Sequence, residues 1–300
     1  MSAGSDPASA STASTAATTA DALLRAAPLP ALEARILLVH ALGWSRTQLI
    51  TRGDEPLGQA QIAHYRALEA RRMLGEPIAQ IVRAREFYGL EFEVTPDVLI
   101  PRPETELLVD TALSALAPLA NPSVLDLGTG SGAIAIAIAS ARPDARVWAL
   151  DRSAEALAVA TRNAARLLDV RRPGGPVTLL QSDWYAALHP SQRSFEVIVS
   201  NPPYIAAADP HLGAGDLRYE PRGALTDEAD GLRAIRAIVF GARAFAAAGA
   251  QVWIEHGFDQ AVAVRTLFAE QGFAEIRSVT DLAGIERISG GVVPQVRDRP

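Results

Sequence analysis

From Ser123 onward, short apolar runs alternate with segments of helical length, in the order SVLDLG, RVWALD, VTLLQSD, FEVIVSN, AQVWIEHG, AEIRSVTD and ERISGGV. A strand covered on both faces reads as a nearly continuous apolar run. Strands separated by helices pair through crossovers, and the result is a sheet with helices on both sides. The fold class that follows is α/β, a doubly wound, mostly parallel sheet of seven strands. One segment departs from the rhythm: AIAIAIAS, residues 133–140, alternates with period two and by pattern alone would be a strand. Its place directly after a glycine loop, with Ile134 and Ile138 on one helical face, makes it a helix.

The chain before this point is organised differently. In residues 21–74 apolar positions recur at spacings of three and four, with ALEARILLVHALG stopping at Gly43 and GQAQIAHYRALEARRMLG at Gly75. Both glycines suit helix C-termini, so residues 21–75 read as a small helical domain. Residues 76–100 carry β-branched and aromatic residues around a Tyr-Gly-Leu turn, which predicts a hairpin linker. PRPETELLVDTALSALA then opens a helix with proline and acidic residues in its first turn, and residues 101–300 form the α/β domain. Residues 1–20, MSAGSDPASASTASTAATTA, lack the basic and apolar regions of a secretory signal and read as a disordered tail. No apolar run reaches the roughly eighteen residues of a membrane span.

The net charge of −6 argues against a protein whose main task is gripping a nucleic-acid backbone, which takes clustered positive charge. All 28 basic residues are arginine, so a phosphate loop built on lysine is excluded. The absence of cysteine rules out disulfides, thiolate catalysis and cysteine-ligated metals, and fits a cytoplasmic protein.

Candidate chemistry gathers where the runs end. VLDLGTGSGAIA places Gly128, Thr129, Gly130, Ser131 and Gly132 between a strand and a helix, where backbone can approach a ligand closely. Ala133 stands where a dinucleotide fingerprint would have its last glycine. Asp126 ends the first run, Asp151 the second, and Asp183-Trp184 follow the third. An acid about twenty residues after such a loop meets ribose hydroxyls in doubly wound folds, so the expected ligand has a ribose and an adenine but no pyrophosphate.

The fourth run ends in Asn201-Pro202-Pro203-Tyr204. A planar NH2 group, carboxamide or adenine amine, hides its lone pair in conjugation. To make that nitrogen attack an electrophile, two acceptors must hold both hydrogens and turn the lone pair toward the reacting carbon. The Asn201 side-chain oxygen and the Pro202 carbonyl can be those acceptors. The two prolines remove competing N–H donors, and Tyr204 offers a flat wall. His40, His64 and His256 need no catalytic role, and no metal is called for.

These features together resemble the class I S-adenosylmethionine methyltransferases that act on planar NH2 groups. Almost the whole chain from about residue 25 is similar to the PrmC/HemK release factor glutamine N5-methyltransferases, through IPRPETELLVD, DLGTGSGAIAIAIA, QSDWYAAL, VSNPPYI, DPHLGAGDLRYEPRGAL and IEHGFDQ. The resemblance implies methylation of the glutamine in the Gly-Gly-Gln loop of class 1 peptide-chain release factors, with S-adenosyl-L-methionine as cofactor. It implies that Asp126, Gly128 to Gly132, Asp151, Asp183, Trp184 and Asn201 surround the cofactor, while Asn201, Pro202, Pro203 and Tyr204 hold the glutamine. Arg102 would approach the cofactor carboxylate or pair with Glu104 or Glu106. The helical domain would dock the protein substrate, with no direct contact to nucleic acid or membrane. Glutamine methylation of a ribosomal protein and N6 methylation of adenine stay open, because both present the same planar amine. A module that merely binds the cofactor would not need the acceptor motif intact.

Overall fold

The computed structural model of this protein describes residues 18–189 and 194–294. The tail expectation for residues 1–17 falls outside them. The chain divides into two compact units, Met1–Val82 and Arg83–Pro300.

The first unit contains α1 (Ala20–Ala26), α2 (Ala31–Leu42), α3 (Arg46–Thr51), α4 (Gln59–Met73) and α5 (Ile78–Val82). Their apolar faces close on a core that includes Leu23, Leu37, Leu38, Tyr65 and Leu68. Gly43 ends α2 in the left-handed conformation at φ +64°. Order begins before residue 21: the Thr19 hydroxyl accepts from Ala22 N at 3.2 Å, Leu57 N donates to Thr18 O at 2.9 Å, and Ala20 is buried. The tail expectation is therefore corrected for residues 18–20, where a helix cap lies inside a low-complexity Ser/Thr/Ala run.

The second unit opens with a hairpin, β1 (Ala84–Phe87) and β2 (Leu90–Glu93). Its turn residues, Tyr88 and Gly89, both have positive φ. After a short 3-10 turn at Pro103–Thr105 come α6 (Glu106–Leu116), β3 (Ser123–Leu127), α7 (Ala133–Ala141), β4 (Arg146–Asp151), α8 (Ala154–Leu167), β5 (Thr178–Gln181) and β6 (Phe195–Ser200). Then follow α9 (Arg222–Leu225), α10 (Arg233–Ala242), β7 (Ala246–Glu255), α11 (Ala261–Glu270), β8 (Ala274–Thr280) and β9 (Glu286–Val292). The seven-stranded sheet has the order β5-β4-β3-β6-β7-β9-β8. Strands β3 to β7 pair in parallel, and only the β7–β9 and β8–β9 ladders are antiparallel.

Alternating residues of each central strand feed two apolar layers. Val124, Val147 and Val197 pack with Leu108 of α6 and Ile136 of α7. Leu125, Leu150 and Ile198 face the layer of α10 and α11, with Ile235, Val239, Val264 and Phe268. The alternating Ala/Ile segment is indeed the helix α7, and Ala133 to Ala139 are all buried. A helix surrounded by protein needs no polar face, so its pattern carries no 3.6 period.

Close strand approach fixes part of this sheet. Gly290 of β9 pairs with Trp253 of β7, and a methyl group there would run into the indole and Val252 O. Gly290→Ala is expected to cost about 1–3 kcal/mol of unfolding free energy through overpacking, read from the midpoint of urea denaturation; an unchanged midpoint would show that Trp253 repacks freely.

Candidate active site

The parallel strands β3, β4, β5 and β6 all end at one edge of the sheet, and chemistry is built there from the backbone upward. Gly128 N and Thr129 N both donate to Leu150 O, at 2.8 and 2.9 Å, which folds the glycine loop back over β4. Gly128 has φ +73° and Gly132 φ +83°, a region side chains rarely adopt. At Gly132 a Cβ would also lie 2.8 Å from Ile136 Cδ1 and 3.2 Å from Ala160 Cβ.

Asp151 ties the loop to the next helix. One carboxylate oxygen accepts from Gly130 N at 2.8 Å and the other from Ser153 N at 2.9 Å. Asp126 lies beneath the loop, fully buried, and accepts from the Thr129 hydroxyl at 2.6 Å. Its Oδ1 has no hydrogen-bond partner, and burial pushes its carboxyl up to about 7. Trp184 adopts φ +47°, and its ring edge lies 3.6 Å from where a Cβ on Gly128 would stand.

A cavity of about 330 Å³ opens over these groups. Gly128, Thr129, Gly130, Ser131, Asp151, Asp183, Trp184, Asn201 and Pro203 line it together with Phe87, Arg102 and Thr105. Asp126, Gly132, Pro202 and Tyr204 are not among its lining residues. The donor set suits a cofactor with a ribose and a flat base: an acidic side chain on the wall, an indole beside it, and Gly128 and Gly130 among the loop residues that line it.

The acceptor motif is held from several elements. The Ser200 hydroxyl donates to Leu127 O at 2.7 Å, locking the end of β6 to β3. Asn201 Nδ2 donates to the Thr105 hydroxyl at 3.1 Å. Gln260, next to α11, donates to Tyr204 O at 3.0 Å, and the Tyr204 hydroxyl points to Glu255 Oε1 at 3.4 Å. Burial, reinforced by Glu255, holds the Tyr204 hydroxyl well above the usual phenol range.

Several contacts at the site could not be read from the sequence motifs. Arg102 pairs with buried Glu220, not with Glu104 or Glu106, and Glu220 also accepts from Ile100 N at 2.9 Å. Buried Asn163 of α8 accepts from Glu93 N at 2.7 Å and donates to Glu93 O and Ser131 O at 3.1 and 3.0 Å, joining the hairpin to the glycine loop. An asparagine in mid-helix is the one signal that could have found it, because such residues need a reason to be there. Thr105 and Glu255 lie within IPRPETELLVD and IEHGFDQ, but nothing in the sequence singled out either for a role.

The comparisons with known proteins agree with one another. Residues 15–82 match the model of the PrmC N-terminal domain, and residues 103–215 that of the methyltransferase small domain. The chain is 70% identical to the release factor glutamine methyltransferase of Burkholderia pseudomallei (strain K96243), covering 92% of this chain and 96% of that protein. With the protein of the same name from Bordetella pertussis (strain Tohama I), identity is 55%, over 88% of this chain and 95% of the relative. Among solved structures, the hMettl16 catalytic domain is 13% identical with a TM-score of 0.54, covering 77% of this chain and 85% of that one. That likeness is one of fold, the class I methyltransferase fold.

The two backbone bonds of Asp151 and its place on the cavity wall give an expected outcome for Asp151→Ala. S-adenosylmethionine affinity falls by about 1–3 kcal/mol, roughly 5- to 150-fold in Kd, by calorimetry. An unchanged Kd would remove Asp151 from the cofactor site.

Proposed function

Because the chain belongs to the release factor glutamine methyltransferase family, we propose that it transfers a methyl group from S-adenosyl-L-methionine to N5 of the glutamine in the Gly-Gly-Gln motif of class 1 peptide-chain release factors. The observation that carries the reading is the placement of Asn201 on the same cavity wall as Asp151 and Trp184. An amide acceptor thus faces the space where a nucleoside cofactor would lie.

Asp151 and the glycine loop would hold the ribose and methionine ends of the cofactor, with Trp184 beside the adenine. The cofactor supplies an electrophilic methyl group on a positively charged sulfur. Asn201 and the Pro202 carbonyl would accept the two hydrogens of the glutamine amide and orient its nitrogen. A cofactor held there would give up its methyl group to that nitrogen, the sulfur keeping the electron pair of the S–C bond, so this chain's part is to orient the amide. The amide nitrogen then gives up one proton, which an N-alkylated amide cation loses readily, so no strong base is required. Proline at 202 and 203 leaves no N–H to compete for the acceptor oxygens.

The helical domain, residues 21–75, is assigned the docking of the release factor and residues 101–300 the chemistry; the expected linker, residues 76–100, holds α5 of the helical unit and then the hairpin. The net charge of −6 favours a protein acceptor over nucleic acid. Among the described residues no helix is long and apolar enough to cross a membrane. The reaction is placed in the cytoplasm, consistent with a chain without cysteine.

Asn201→Ala is expected to lower turnover on purified release factor by at least about 10²-fold while cofactor affinity stays within a few-fold, measured with labelled S-adenosylmethionine. Label should be absent from a release factor whose Gly-Gly-Gln glutamine is changed to alanine. Full turnover by the Asn201 variant would sink the acceptor role, and label on duplex DNA or ribosomal protein instead would reassign the substrate.

A further inference from the structure

Asn201 has two chemically different ends, and only one of them can accept from an amide NH2 group. Rotating the side chain by half a turn would present a donor to a donor and abolish the site. Something must fix the end that faces the substrate. Asn201 Nδ2 is engaged by the Thr105 hydroxyl at 3.1 Å, and Thr105 is itself buried at the start of α6.

A threonine hydroxyl owns a single proton. Where its oxygen accepts from Asn201, that proton is free to go elsewhere, and a carboxyl stands within reach of it. The Thr105 hydroxyl favours the ionised form of Glu255, the last residue of β7, which is 2% exposed. The Tyr204 hydroxyl is the second donor aimed at that carboxylate, and Oε2 keeps no hydrogen bond of its own. Ionised, Glu255 can only accept. With Asn201 NH2 donating to Thr105 at 3.1 Å, the Thr105 proton turned toward that carboxylate would make a chain of donors that runs one way.

We propose that Thr105 and Glu255 are positioning residues which, through this one-way chain, hold the Asn201 amide with its oxygen toward the substrate glutamine. The inference deepens the functional reading above and rests on it. Protonating Glu255 would let it donate to Thr105, and Thr105 to the Asn201 oxygen, so that the amide turns and the acceptor is lost. Burial sets where this happens: Glu255 is raised to about 7, with Glu104 pushing in the same direction while Thr105, Tyr204 and Arg287 of β9 pull back. His256, the next residue, is turned away to Ser289 of β9 at 2.8 Å. With a raised value, the ionised and productive form dominates above about 7 and is lost as pH falls through it.

The test compares wild type with Thr105→Val, Thr105→Ser and Glu255→Gln, using kcat on release factor across neutral pH and calorimetric affinity for S-adenosylmethionine. Wild type should show a one-proton acid limb in kcat with its midpoint near 7. Thr105→Val should lose about 10²-fold in kcat, as expected for a misoriented reacting group, keep its cofactor affinity and show no acid limb. Thr105→Ser should recover most of the rate, and Glu255→Gln, nearly isosteric, should give a flat profile whether its rate is high or low. An active wild type beside a Thr105→Val enzyme with unchanged kcat and an unchanged acid limb would overturn the inference alone; a Glu255→Gln enzyme that keeps the limb would do the same. A wild type that leaves the glutamine unmethylated would overturn the functional reading and this inference with it.

Discussion

Parallel pairing of β3 with β4 on one side and β6 on the other is the constraint from which the rest of the site follows. The register sets Leu127 beside both Leu150 and Ser200, so three strands stop level at one edge. Their terminal peptide groups cannot all be satisfied by the sheet, and the backbone must turn, cap or bind a ligand there. The glycine loop spends two N–H groups on Leu150 O, Asp151 accepts from Gly130 and Ser153, and Ser200 closes on Leu127 O. On the edge that remains, Asp151, Asp183, Trp184 and Asn201 line one shared cavity.

How much of this could be read from the chain depended on sequence distance. The strands and the glycine loop are local patterns, so their lengths and order were legible. Asn201 was legible because an amide followed by two prolines at a strand end has few structural uses. The partners of these residues were not. Glu220 reaches back 118 residues to Arg102, and Asn201 reaches 96 to Thr105, across connections whose folding no period encodes. Strand β7 starts at Ala246, within an Ala-rich stretch that has no β-branched residue to announce it. The helical unit begins at a threonine cap that looks like more of the tail before it.

Two acids deserve to be seen together. Asp126 and Glu255 stand at or next to the ends of β3 and β7, are both shielded from solvent, and are both raised to about 7. Each keeps one oxygen without a partner. Such groups lower stability wherever they are ionised, since the folded state binds protons that the unfolded chain would have released between about 4 and 7. A chain selected for stability alone would replace them with apolar residues. Their positions under the glycine loop and behind the acceptor motif tie that cost to the edge where cofactor and acceptor amide are proposed to bind.

Trp184 carries a last consequence. Its left-handed backbone is held by the Ser182 hydroxyl, which donates to Trp184 O at 2.7 Å, and this sets the indole on the cavity wall beside Gly128. The other described tryptophans, Trp44, Trp148 and Trp253, do not line that cavity. A flat base bound in that cavity beside Trp184 would change the polarity around one indole and leave the other three as they were. Under the proposed assignment that indole would be a built-in optical reporter, its emission registering occupancy of the cavity with no label attached.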